Sequence, residues 1–227
     1  MWTIFKKEFK SYFLSPIGYV VVGIFLFVCS VFFYLTTVNY RSIDLGSLYF
    51  YAAFYGLMII IPILTMRMFA EERKNGTEQL LLTSPTGMAG VVFGKFFAAM
   101  AVIAIALIAS LMYFGIICYF ASPNIVVVLV SMLGFLLISG AAISFGMFAS
   151  SITENQIIAG IITIAFLIMS LFIVDLDIGI PDISLMSFYQ KFPTGVISLN
   201  EVVGPLSFTA MFIAFTIILM QRRKLVK

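Results

Sequence analysis

The chain has 227 residues, of which 63% are hydrophobic and 10% charged, and its net charge is +3. Soluble globular domains are about half apolar and about a quarter charged, so this composition excludes an ordinary soluble domain and an intrinsically disordered chain. The small net charge does not indicate a nucleic-acid partner, and the lack of histidine removes the commonest general base and metal ligand. The composition indicates a protein surrounded mostly by lipid.

Residues 1–15 form the first predicted element, an amphipathic helix. On a helical wheel its aromatic residues fill one arc of about 100°: Trp2, Phe5, Phe9, Tyr12 and Phe13. The lysines Lys6, Lys7 and Lys10 occupy the adjoining arc. This pattern is typical of a helix lying in the membrane interface. Such a helix serves either as a simple anchor or in force transmission, and the pattern leaves both open.

Six apolar runs predict membrane spans, at 17–38, 45–66, 91–120, 125–149, 157–174 and 206–220. They are predicted to be helices, because only helices and closed barrels satisfy the backbone in lipid and the runs lack the alternation of barrel strands. No Asp, Glu, Lys or Arg is predicted deep within a span, which disfavours an ion-driven carrier. In the fourth span Ala142, Gly146 and Ser150 form a small-residue pattern that permits close helix approach.

The basic residues predict the orientation. If the N-terminus is inside, 11 of the 13 Lys and Arg residues fall in inner segments, and only Arg41 and Lys191 lie outside. The positive-inside rule therefore predicts a multi-pass protein of the plasma or inner membrane with both termini in the cytoplasm.

Residues 67–90 form the only long inner loop, and the middle of this loop predicts a short helix. Asn75 and Gly76 favour a turn, and Thr77 is a favourable N-cap for the residues that follow. Pro85 keeps the residue before it out of the helical region, so the helix covers about two turns, 77–83. It places three consecutive leucines on a loop that faces water: Leu80, Leu81 and Leu82. They either bind a partner or pack on the protein's own spans, and the spacing leaves both open.

Residues 175–205 are too many for a structureless outer loop in a compact protein. Their apolar residues fall into two groups separated by Pro193 and Gly195, which predicts two short helices that dip part-way into the outer leaflet. The aspartates of this segment lack the spacing of a calcium loop and are interpreted as solvated carboxylates: Asp175, Asp177 and Asp182.

The loop at 67–85 resembles the loop between spans two and three of ABC-2 type transport permeases, whose pattern is roughly FAEER-x-x-GT-x-E-LL-x-TP. Gly94-Lys95-Phe96 is similar to the start of that family's third span. Residues 188–224 are similar to a subgroup that includes gliding-motility and multidrug-type permeases. The resemblance covers nearly the whole chain. It departs from the pattern at Gln79, where the family has an acidic residue, and Glu78 stands one position earlier.

The resemblance implies a subunit that pairs with a second permease subunit, identical or related, and with two cytoplasmic ATP-binding subunits. The helix at 77–83 would be the coupling helix, and the N-terminal helix a second ATPase contact. The residues implied in coupling are Glu71, Glu72, Arg73, Gly76, Thr77, Leu80, Leu81, Leu82, Thr83 and Pro85. The outer helices would help to close a gate, which implies Phe188, Phe192, Pro193, Gly195 and Ile197.

The sequence predicts no catalytic residue, no metal site and no cofactor bound by this chain. Residues 90–96 only faintly resemble a phosphate-binding loop, because one residue is missing between the glycines and no Ser or Thr follows Lys95. ATP and Mg²⁺ would therefore bind the partner ATPase.

Together these patterns predict an all-α integral membrane protein with six spans, an interfacial N-terminal helix, a cytoplasmic coupling helix and re-entrant outer helices between spans five and six. The predicted function is that of the permease subunit of an ATP-driven ABC exporter. One alternative is a membrane scaffold that recruits an ATPase for mechanical work, as in gliding motility. An ion-driven carrier is disfavoured by the lack of charge within the spans, and an intramembrane hydrolase by the lack of a nucleophile with its base.

Overall fold

A computed structural model describes residues 1–40, 42–77, 87–172 and 184–226. In these ranges the chain is helical and contains no β-strand, as the uniformly apolar runs predict. The described residues form nine α-helices: α1 (Trp2–Leu14), α2 (Ile17–Phe33), α3 (Leu45–Tyr51), α4 (Leu57–Thr65), α5 (Ala70–Lys74), α6 (Met88–Phe120), α7 (Ile125–Ile152), α8 (Gln156–Phe172) and α9 (Leu199–Val226). The π-helical turns Tyr34–Asn39 and Ala52–Gly56 extend α2 and join α3 to α4, and the 3₁₀ turns Ser187–Tyr189 and Phe192–Thr194 precede α9.

Five helical stretches in the described ranges are long and apolar enough to cross a membrane: Ile17–Asn39, Leu45–Lys74, Met88–Phe120, Ile125–Ile152 and Leu199–Arg223. They coincide with five of the six predicted spans. The remaining predicted span, 157–174, coincides with α8 as far as Phe172, and its last two residues lie outside the described ranges. A sixth crossing therefore stays a prediction.

The last membrane helix differs from its predicted bounds of 206–220, because α9 begins at Leu199. The prediction placed Glu201 and Pro205 in the outer segment 175–205. Glu201 instead lies in the first turn, where the positive end of the helix dipole favours an acidic side chain. Pro205 is accommodated within the helix, and Thr209 Oγ1 donates a hydrogen bond to its carbonyl at 2.7 Å.

Helix α7 lies at the centre of the bundle and contacts α4, α6, α8 and α9. Its small residues let the neighbouring helices approach closely. Gly146 lies so near Thr65 of α4 that an added Cβ would overlap the Thr65 side chain. The close approach predicted for the small-residue pattern of this helix is confirmed.

The up-and-down order of the helices defines two ends of the bundle. The basic end holds α1, α5, the first turns of α6 and residues 153–155, and the opposite end holds residues 42–44, 121–124 and 184–198. Helix α1 packs across the basic end of α6, where Ile4 lies over Gly94.

Candidate functional site

The second membrane helix is interrupted between α4 and α5, and Ser150 of α7 fills the interruption. Its Oγ accepts hydrogen bonds from the N–H groups of Phe69 and Ala70, each at 3.1 Å, and donates one to the carbonyl of Met66 at 3.2 Å. An interrupted helix leaves backbone groups of this kind without partners. One hydroxyl group therefore holds α5 against α7 at the basic end.

Two of the residues implied in coupling, Arg73 and Glu71, make ion pairs at the surface of α5. Arg73 donates to the carbonyl of Ile152 at 2.9 Å and to the carboxylate of Glu154 at 2.8 Å. Glu71 lies 3.4 Å from Arg67, four residues earlier. Exposed pairs contribute little stability, so the main effect of the Arg73 contacts is to fix α5 beside the turn between α7 and α8.

The described part of the loop implied in coupling, residues 67–90, stops at Thr77 and resumes at Gly87. Gly76 has a φ of +70°, as its predicted place in a turn requires, and Thr77 Oγ1 donates to the carbonyl of Glu72 at 3.3 Å. The remaining residues implied in coupling, and with them the predicted coupling helix, lie outside the described residues: Leu80, Leu81, Leu82, Thr83 and Pro85.

Lys95 of α6 is the centre of a buried group of charges that joins three helices. Its Nζ lies 2.8 Å from Oε1 of Glu72 in α5 and 3.2 Å from Oε1 of Glu8 in α1. The Lys95 side chain is 2% exposed and each glutamate side chain 16%. Because water is largely excluded, removal of one partner leaves an uncompensated charge in the interior. We call Glu8, Glu72 and Lys95 the Lys95 cluster.

Tyr12 makes a second connection between α1 and the bundle. Its O–H donates to the carbonyl of Leu64 in α4 at 3.2 Å. Burial, together with the nearby Glu8 carboxylate, raises the pKa of the Tyr12 hydroxyl well above its usual value. Tyr12 therefore stays protonated and remains a donor at neutral pH. Tyr12, at one edge of the predicted aromatic arc, therefore faces the bundle.

The remaining aromatic residues of the predicted interfacial helix continue along the arc of α1 on which Tyr12 lies. Trp2, Phe5, Phe9 and Phe13 form a row of rings with successive centroids 5.2, 5.8 and 5.1 Å apart. Beside this row three lysines are exposed: Lys6, Lys7 and Lys10. The helix is amphipathic as predicted, and its position in a membrane interface stays a prediction.

A polar cleft of about 520 Å³ opens between α1, α5 and the start of α6. The Lys95 cluster forms part of its wall, together with Lys7 and Thr77. The cleft therefore reaches Thr77, the last described residue before the predicted coupling helix. Among the described residues, no three Cys, Asp or Glu side chains come together as a metal site would require.

The predicted outer gate residues lie at the opposite end of the bundle, in and around the two 3₁₀ turns. Phe192 and Pro193 are buried. The Phe192 ring lies so close to Gly134 of α7 that a Cβ there would overlap it. Tyr189, which was not among the predicted residues, donates from its O–H to the carbonyl of Ser131 at 3.1 Å. The turns are thus packed tightly on α7.

The same segment is also connected to α9. Lys191 Nζ lies 3.0 Å from Oε1 of Glu201, and Phe188 packs against Gly204. Gly195 ends the second turn with a φ of +80°, and Ile197 is exposed. The structure therefore brings Phe188, Phe192 and Pro193 into packed positions and leaves Ile197 at the surface.

The chain matches the family model of the ABC-2 family transporter proteins over residues 2–216. The protein belongs to the ABC-2 transporter family. No curated protein sequence matches it. Membership of this family makes the chain a multi-pass membrane protein and the permease component of an ABC transporter. Permeases of the ABC-2 family are typically not enzymes, and they act together with ATP-binding subunits that carry the ATPase.

Two residues of this ABC-2 permease, Glu8 and Lys95, form a buried contact that the sequence did not predict. No charged side chain was predicted deep within a span, yet Lys95 and Glu201 are only 2% and 4% exposed, near the ends of their helices. A signal was present, since Lys95 is the only charged residue between positions 79 and 153. Glu8 is the only acid in the N-terminal helix, off its aromatic arc.

Proposed function

We propose that this chain is the permease subunit of an ATP-driven ABC exporter of the gliding-motility or multidrug type. The Lys95 cluster is the observation that carries the proposal. It joins the N-terminal helix, the end of the second membrane helix and the start of the third in one buried contact. The last two of these elements flank the loop that resembles a coupling loop.

This arrangement supports a mechanical role. Helix α5 and helix α6 lie on either side of residues 78–86, so a partner that moves the loop displaces both helices. Their charges are paired inside the protein, and Ser150 holds α5 on α7. A displacement is therefore passed to α1 and α7 instead of being absorbed locally. ATP binding drives such a change only if the ATPase contacts differ between two states of the permease.

The proposed orientation places the basic end in the cytoplasm, with six spans and both termini inside. The distribution of Lys and Arg supports it. The outer end would then hold the packed 3₁₀ turns, and Phe188, Phe192, Pro193, Gly195 and Ile197 would take part in closing the outer path.

A second permease subunit, identical or related, completes the proposed assembly. Two membrane helices support this by their exposure within the single chain. Only 17% of the apolar window of Leu199–Arg223 and 28% of that of Ile17–Asn39 are buried, against 61% for Leu45–Lys74. Their free faces are available to lipid and to a partner permease.

Co-purification of the partner ATPase in mild detergent tests the proposal. We expect the ATPase to purify with the wild-type chain and to be lost from the double variant Leu80→Asp/Leu81→Asp, because two charges on the loop would prevent apolar docking. The matched control is Tyr119→Asp/Phe120→Asp. It places the same charges on residues that are 86% and 81% exposed at the opposite end of the bundle, and it should keep the ATPase.

The outcomes separate the rival functions. If no nucleotide-binding protein purifies with the wild type, the coupling proposal is wrong, and an ion-driven carrier becomes the better hypothesis. If the ATPase purifies with the wild type, transport by that complex is measured in vesicles with ATP and without an ion gradient. A bound, active ATPase with no ATP-dependent transport of any substrate class would favour the scaffold that supports mechanical work.

A further inference from the structure

An apolar groove of about 700 Å³ lies between the start of α1 and the outer surfaces of α6 and α7. We call it the α1 groove; it is lined by Met1, Trp2, Phe5, Phe97, Met100, Ala101, Ala104 and Leu136. Its volume is within the range of pockets that hold small ligands, and no charged side chain lines it. An apolar surface of this kind requires an apolar occupant.

The groove continues along the helices. A second apolar depression of about 480 Å³, between α6, α7 and α9, shares Phe97, Met100 and Leu136 with it. Together the two depressions are lined by α6 from Phe93 to Ala104, about three turns of the helix. An extended acyl chain fits such a surface better than a compact ligand does.

The charge beside the groove is positive. Lys6 Nζ lies 5.5 Å from the centroid of the Trp2 ring, and Trp2 forms part of the groove wall. The acid of the same helix, Glu8, is turned away and paired with Lys95. Among the described residues the Lys6 ammonium makes no ion pair, so it is available to an anion beside the groove.

We propose that the α1 groove binds an anionic phospholipid, with one acyl chain between α1 and α6 and the headgroup phosphate against Lys6. The apolar lining takes the chain, and the cation selects the headgroup. The site would tie the position of α1 to the lipid around it, beyond the general attraction of a basic interfacial helix.

The same charge disfavours a second copy of this chain as the occupant. In a two-fold dimer formed on this patch, both copies would bring a Lys6 to the same contact, and no acidic side chain lines the groove to pair with them. Like charges brought together in this way repel. An anionic lipid instead neutralises the lysine.

Trp2 is the only tryptophan in the chain and therefore a built-in reporter of the groove. The experiment titrates the whole detergent-purified protein with phosphatidylglycerol whose acyl chain carries bromine, which quenches tryptophan fluorescence on contact. Phosphatidylcholine with the same brominated chains is the reference. We expect quenching by phosphatidylglycerol at about fivefold lower lipid concentration, the effect of one favourable lysine near a headgroup.

Two pairs of variants separate the headgroup from the acyl chain. Lys6→Gln should abolish the preference for phosphatidylglycerol. Lys7→Gln removes the same charge from a residue that lines the polar cleft instead of the groove, and it should keep the preference. Ala104→Phe fills the groove and should remove saturable quenching by either lipid. Ala109→Phe makes the same change on α6 outside the groove and should leave quenching intact.

Four results would overturn the proposal. Equal quenching by the two lipids would show that the site does not select an anionic headgroup. Equal effects of Lys6→Gln and Lys7→Gln would reduce the preference to general attraction. Loss of the preference in millimolar glycerol phosphate would indicate a site for soluble phosphate instead of lipid. Unchanged quenching in Ala104→Phe together with a changed oligomeric state would assign the groove to a second copy of the chain.

Discussion

A lysine inside an apolar bundle is costly unless its charge is matched, and Lys95 is matched twice. Glu8 belongs to α1 and Glu72 to α5, so each ion pair forms only when its own helix is packed beside Lys95. Buried ion pairs of this kind add little net stability compared with apolar side chains, but breaking one is strongly destabilising. The cluster therefore specifies where α1 lies more than it strengthens the fold.

The variant Lys95→Met tests this role. It leaves two partly buried carboxylates facing each other, and we expect a loss of about 3–5 kcal/mol in the free energy of unfolding, measured by thermal denaturation in detergent. The triple variant Lys95→Met/Glu8→Gln/Glu72→Gln removes all the charges and should recover most of that loss. Lys10→Met is the control, because Lys10 is exposed on α1. A loss in Lys95→Met no larger than in Lys10→Met would contradict the prediction.

At the scale of elements, the junction between α4 and α5 depends on a neighbouring helix. The apolar run of the second span predicts one helix, and nothing in residues 66–69 themselves supplies the missing backbone partners. Ser150 does so from a position more than 80 residues later in the chain. Ser150 has two roles: its small side chain lets the helices approach closely, and its hydroxyl group bonds to the backbone of the junction.

The variant Ser150→Ala should therefore destabilise the protein by about 1–3 kcal/mol, because the N–H groups of Phe69 and Ala70 lose their acceptor in the interior. Ser151→Ala is the matched control. The Ser151 hydroxyl donates only to the carbonyl of Phe148 in its own helix, at 2.6 Å, and its loss should cost much less. Thermal denaturation of the two variants side by side decides the matter, and equal losses would count against the capping role of Ser150.

At the scale of the whole molecule, charge separates the two ends of the bundle. Basic residues collect at the end that holds α1 and α5, whereas the packed 3₁₀ turns lie at the other end. A membrane helix inserts with its basic flank in the cytoplasm. Orientation is thus a property of the whole chain and follows from no single helix.

Cysteine labelling in intact cells tests this orientation. In a background without native cysteines (Cys29→Ala/Cys118→Ser), a membrane-impermeant maleimide should label Ser122→Cys from outside. Asn155→Cys should react only after permeabilisation. Both positions are exposed in short turns, so accessibility within the protein does not differ between them. Labelling of Asn155→Cys in sealed cells would reverse the proposed orientation.

The sequence by itself predicted the helical class, five apolar helices long enough to cross a membrane, the amphipathic N-terminal helix and the resemblance to ABC-2 permeases. These follow from apolar runs and periodicity, which are local along the chain. The predicted start of α9 lies seven residues after the observed one, because an acidic residue and a proline resemble a loop when their neighbours in space are unknown. Glu201 is accommodated by the helix terminus and by Lys191, which lies ten positions earlier.

Only the tertiary structure decided which polar groups meet. Residues far apart in sequence meet in three places: in the Lys95 cluster, in the hydrogen bonds of Ser150, and where Phe192 packs on Gly134. Hydrophobic periodicity indicates which face of a helix is buried, but not which neighbour covers that face. A buried charge or an unpaired N–H group is stable only with a partner of suitable geometry, and packing alone brings that partner within reach.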